Sequence, residues 1–127
     1  MKKSKNLAHS FQAAFSGIGK VLASERNFQI HVLIGFIVIL AAIFFQISRN
    51  DLIFLLIIIG MVLTMEIVNT GFELMFDILH PLEKRNVEQD LAVRIIKDML
   101  AGAVLISAIL ALIIGVLIFY PYVINLT

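Results

Sequence analysis

Residues 52–79 read LIFLLIIIGMVLTMEIVNTGFELMFDIL. From Leu52 to Met65 no residue is charged; then Glu66, Glu73 and Asp77 come in quick succession. A membrane-crossing helix needs about 20 mostly apolar residues. This stretch reaches that length only if the helix runs on through its own carboxylates. At about 1.5 Å per residue the whole stretch is ~42 Å long. Such a helix crosses the bilayer and carries its acids into one interface.

The flanks agree. Asn27 to Ser48 is free of full charges, and so is everything from Met99 to the end. Both runs are long enough to span. The 127 residues are 61% apolar and only 15% charged, and mean hydropathy is +1.02. A soluble domain needs only about half its residues apolar. The excess excludes a soluble enzyme, a nucleic-acid module and a disordered linker. A net charge of +1 gives no reason to expect nucleic acid as a partner. With no cysteine there is no disulfide frame and no thiolate site. A chain this short encloses little volume, which points to oligomerisation.

Lys2, Lys3 and Lys5 resemble the basic start of a signal peptide, but the residues after Lys5 are too polar for its apolar core. Leu7, Phe11, Phe15, Ile18 and Leu22 instead fall on one helical stripe, with Ser16 and Lys20 opposite. This is the pattern of a helix lying in the headgroup plane. Five Lys or Arg precede the first span, one (Arg49) separates spans one and two, and four (Lys84, Arg85, Arg94 and Lys97) separate spans two and three. The positive-inside rule then puts the N-terminus in the cytoplasm. The C-terminus ends outside, with Tyr120 and Tyr122 as interfacial anchors. Pro81 marks the end of the second helix, and Glu83 to Asp90 forms a polar cytoplasmic segment. The expectation is an all-α, multi-pass integral membrane protein. It has a surface helix at about 6–25 and spans at about 27–48, 52–79 and 91–121.

The polar residues of the second span carry the chemistry. With about 100° per residue, Glu66, Asn69, Thr70, Glu73 and Asp77 share roughly a 100° stripe. A lipid-facing carboxylate costs at least a few kcal/mol, so the stripe faces protein or a wet cleft. The plain alternative is that Asn69 and Thr70 join helices and the acids cap an end. Carboxylates without cysteine or clustered histidine suit Mg²⁺, which takes oxygen ligands and shares them with phosphates. Glu25 lies at the same expected depth as Glu73. It reads either as an ion pair with Arg26 or as a further metal ligand. Lys97-Asp98 opens the third span, where the lysine either snorkels or clamps a phosphate. Together these residues are the parts of a phosphoryl-transfer site. No Walker loop, kinase glycine loop or GxGxxG accompanies them. His9, His31 and His80 are scattered and read by default as packing or interfacial residues, although His31 lies one turn inside the first span, within reach of the cleft.

Glu66-Ile67-Val68-Asn69-Thr70-Gly71-Phe72-Glu73-Leu74-Met75-Phe76-Asp77 resembles the motif Glu-x-x-Asn-(Ser/Thr)-Ala-x-Glu-x-x-x-Asp of the small prokaryotic diacylglycerol kinases. It is most similar to their Gram-positive branch, the undecaprenol kinases. Two further blocks resemble the family: Ser10 to Ile18 leading on to Ser24-Glu25-Arg26-Asn27-Phe28-Gln29-Ile30-His31, and Lys97-Asp98 with Ala101 to Leu105. The resemblance implies a homotrimer in the bacterial cytoplasmic (inner) membrane with sites at subunit boundaries. It implies transfer of the ATP γ-phosphate to a membrane lipid alcohol, undecaprenol or diacylglycerol, with Mg²⁺. By position, Glu66 resembles the catalytic base, Glu25 and Glu73 the metal ligands, and Asn69, Lys97 and Asp98 the nucleotide and phosphate contacts. Gly71 stands where the family has alanine, and the stretch from Asp77 to Lys97 is longer than the family's. Nucleotide contacts drawn from that loop do not carry over. The rival reading is a non-enzymatic ion or proton conductor lined by Glu66, Asn69 and Glu73.

Overall fold

The computed structural model describes residues 6–81 and 84–126. Lys2, Lys3 and Lys5 of the orientation argument, and Glu83 of the polar segment, lie outside the described residues. Among the described residues four helices succeed one another: α1 (Leu7–Ser24), α2 (Arg26–Phe44), α3 (Arg49–Leu79) and α4 (Val87–Ile124). Among the described residues α2, α3 and α4 are long and apolar enough to cross a membrane. The fold is thus all-helical, with three span-length helices behind an N-terminal helix.

α1 is an amphipathic helix with no fully buried residue, although it touches α2 and α3. Leu7, Phe11, Phe15, Ile18 and Leu22 are all exposed, so the apolar stripe is left uncovered by the rest of the chain. One residue separates α1 from α2. Glu25 leaves helical geometry (φ −100°, ψ 111°), yet its N–H donates to Val21 O at 2.8 Å and its carbonyl accepts from Gln29 N at 3.0 Å. The Gln29 side chain ties the bend by donating to Leu22 O at 2.9 Å. Glu25 therefore projects from a fixed corner rather than from a loose loop.

α2 ends at Phe44, before the charge-free run does. Gln46 takes up φ 50°. Its N–H donates to Ile43 O, and Ile47 N–H donates to Ala42 O, both at 3.2 Å. This is the left-handed helix stop that glycine usually occupies. α3 then starts on Ser48, whose side chain accepts from Asp51 N at 3.1 Å. α4 starts at Val87, earlier than charge counting suggests, because Asn86 and Gln89 cap each other's backbones: Gln89 N–H donates to Asn86 Oδ1 at 2.9 Å and Asn86 N–H to Gln89 Oε1 at 3.0 Å. It continues through Pro121.

α3 is the central element, packed chiefly on α4 and also on α2. A β-carbon at Gly35 would stand 3.1 Å from Ile59 Cγ2, so glycine there lets α2 lie close against α3. Ala42, Leu55 and Ile118 form the core at the end near the α2–α3 turn. At that same end Tyr122 Oη accepts from Ser48 N at 2.9 Å and donates to Asp51 Oδ2 at 2.9 Å. The far end of α3 carries the carboxylates.

Candidate active site

Along the polar stripe of α3 burial is deepest at Glu66 and Thr70 and is lost by Asp77. Glu66 and Thr70 are each only 4% exposed; Asn69 and Glu73 are half-buried and Asp77 is exposed. The stripe faces protein at its deep end and opens toward the end of the helix. Asn69 and Glu73 lie one turn apart, and Asn69 Nδ2 donates to Glu73 Oε1 at 3.3 Å. The other amide atom, Asn69 Oδ1, is buried with no hydrogen-bond partner.

Three elements meet at Glu66. His31, one turn into α2, brings Nε2 to 3.2 Å from Glu66 Oε1. Glu25 at the α1–α2 corner and Glu73 on α3 are within electrostatic reach of the same carboxylate. Lys97 is held further along α3, with Nζ 3.5 Å from Asp77 Oδ1 in a largely exposed pair. Asp98 is exposed and is not among the groups that act on Glu66. Thus Glu25 and Glu73 act on Glu66 through space, and Asn69 is tied to Glu73, with Glu66 the deepest of the α3 set. Lys97 is paired with Asp77, a partner that water can reach. His31 is the residue that sequence reasoning undervalues. Its one signal is its depth of one turn in the first span, since the contact depends on how α2 and α3 are registered.

Among the described residues, no group of three or more His, Cys, Asp or Glu side chains forms a metal cage. Mg²⁺ does not require one. It is usually held by one or two carboxylates together with water and substrate phosphates. Glu25, Glu73 and the unpartnered Asn69 Oδ1 are all hard oxygen donors, so the residues present fit that ion.

An apolar cavity of about 500 Å³ runs between α2, α3 and α4. His31 stands at one end and Phe119 at the other, with Gly35, Leu55, Val62 and Ala111 among its walls. Val62 is one turn from Glu66, so the carboxylate lies at the polar head of an apolar slot.

The family model described as prokaryotic diacylglycerol kinase matches residues 12–119. A diacylglycerol kinase from Synechocystis sp. is 35% identical over 121 residues, which are 95% of this chain and 66% of that protein. An undecaprenol kinase from Bacillus subtilis is 33% identical over 116 residues, 88% of this chain and 86% of that one. The chain thus spans just under two thirds of the first relative and most of the second. No solved structure is a significant match.

Proposed function

The chain belongs to the prokaryotic diacylglycerol kinase family, a family of lipid kinases, and on that premise we propose that it transfers the γ-phosphoryl group of ATP to the hydroxyl of a membrane lipid alcohol. The acceptor is undecaprenol or diacylglycerol, and the reaction takes place at the cytoplasmic interface of the bacterial inner membrane, with the N-terminus inside. One observation carries the reading: a carboxylate 4% exposed at the head of an apolar cavity between membrane-length helices. A lipid alcohol brings both an apolar tail and a hydroxyl proton, and this pairing meets both.

In the proposed reaction the lipid oxygen bonds to the γ-phosphorus as its proton passes to the Glu66 carboxylate. The bond from the γ-phosphorus to the bridging oxygen breaks, and ADP leaves with that oxygen. Glu25 and Glu73 would hold Mg²⁺, which offsets negative charge on the nucleotide phosphates. Asn69, Lys97 and Asp98 contact the nucleotide and its phosphates. The exposed Lys97–Asp77 pair is weak, so Lys97 exchanges readily from carboxylate to phosphate. Glu66 lies seven residues deeper than Glu73, about 10 Å along the helix. That order suits an acceptor in the membrane and a donor in water.

The test is Glu66→Gln in purified full-length protein, assayed with ATP and each lipid alcohol in mixed micelles. The variant keeps shape and hydrogen bonding but loses basicity. Lipid phosphorylation is expected to fall by at least ~100-fold while the protein stays folded. Wild-type turnover in the variant would refute Glu66 as the base. Ion flux without ATP-coupled lipid phosphorylation in the wild type would favour a conductor instead.

A further inference from the structure

A buried carboxylate within electrostatic reach of two others needs something that attracts its charge and fixes its direction. The groups acting on Glu66 are Glu25 from the α1–α2 corner, Glu73 from its own helix and His31 from α2. The two carboxylates repel it; His31 alone among these three offers an N–H, with Nε2 3.2 Å from Oε1. The Glu66 side chain is 6% exposed and the His31 side chain 24%, so the contact is mostly shielded from water. Hydrogen bonds to an ionised acceptor are roughly twice as strong as neutral ones. Nε2 can donate whether the ring carries one proton or two.

We infer that His31 is the positioning residue of the base, an inference that rests on Glu66 being that base. By occupying Oε1 it fixes the rotation of a carboxylate that would otherwise turn freely about its last bond, and it leaves Oε2 for the lipid hydroxyl. His31 also lines the apolar cavity, so its ring forms the wall against which the alcohol end of the lipid lies. Its role runs through Glu66. It sits at the level of the hydroxyl, whereas Lys97 is held further along α3 by Asp77, so its loss slows the chemical step and leaves ATP binding as it was.

The test compares His31→Gln, His31→Asn and His31→Phe in the full-length protein, with Glu66→Gln alongside. Glutamine places its amide nitrogen about where Nε2 stands, and asparagine stops short near Nδ1. The expected result is a ~10- to 100-fold loss of kcat in the Asn and Phe variants, with KM for ATP and lipid changed by no more than about twofold and kcat largely restored in the Gln variant. If Phe fails to fold, the Asn–Gln pair decides, since both are polar and differ in reach. Wild-type kcat in His31→Asn would overturn the inference. Equal losses in Asn and Gln would also overturn it, because they would show a need for the ring and not for the hydrogen bond. Wild-type turnover in Glu66→Gln would instead reject the base itself, so the two failures are told apart.

Discussion

Glu66 and Asn69 are three residues apart on one stripe and end in opposite states. Glu66 is buried with an N–H donor against it, whereas Asn69 gives its N–H₂ to Glu73 and keeps a buried oxygen with no partner. Leaving such an acceptor unsatisfied costs about 1–3 kcal/mol. A cation shared with Glu73 and Glu25 would offset that cost. Glu25→Ala and Glu73→Ala are each therefore expected to lower turnover and to raise the Mg²⁺ concentration for half-maximal rate, on the order of 10-fold. The check is a Mg²⁺ titration at fixed ATP. An unchanged titration in Glu25→Ala would return Glu25 to a simple pairing with Arg26. The stripe itself is legible in the sequence because polar residues at helical spacing in an apolar span must share one face sheltered from lipid. His31 is not, because a single histidine on another helix has no periodicity, and its meaning comes only from the register of α2 against α3.

The helices are legible from charge and length; their ends are not. Asn86-Val87-Glu88-Gln89 carries the spacing of a capping box, yet charge-free length alone starts the span later. The end of α2 is set by a glutamine in a left-handed turn, a conformation the residue type does not announce. The opposite end of α3 from the carboxylates is fastened by Tyr122, which bridges Ser48 N and Asp51 Oδ2. Tyr122→Phe removes both bonds and is expected to destabilise the α3–α4 pair by about 1 kcal/mol, read as a lower thermal midpoint in micelles. Asp51 is roughly 22 Å from Glu66 along α3, so kcat is expected to stay at the wild-type value. A matching fall in kcat would show that the two ends are coupled.

One copy of the chain has a thin core. Among the described residues Leu55 is the fully buried side chain of the interior, and most large apolar side chains of α2, α3 and α4 are exposed. Lipid covers some of that surface; a second copy can cover the rest, and closed cyclic symmetry would repeat the contact. The proposed homotrimer with sites at subunit boundaries is open to a mixing experiment. Glu66→Gln subunits, combined with subunits inactivated at Lys97, are expected to recover part of the activity if the two residues serve one site from different chains. No recovery at any ratio, with exchange of subunits confirmed, would assign each site to a single chain. The fastening at Tyr122 has a further effect at this scale. It ties α3 and α4 together at the end where Arg49 begins the helix, and Glu66 comes 17 residues later, about 26 Å away. The hydrocarbon layer of a typical bilayer is ~30 Å thick, close to that separation, so the depth of Glu66 would depend on how the helix length matches the membrane. In vesicles of graded acyl-chain length, the plane holding the lipid hydroxyls meets Glu66 at one thickness and misses it at others. Turnover is expected to peak at that thickness, and a rate independent of acyl-chain length would show that the depth of Glu66 does not limit access to the lipid hydroxyl.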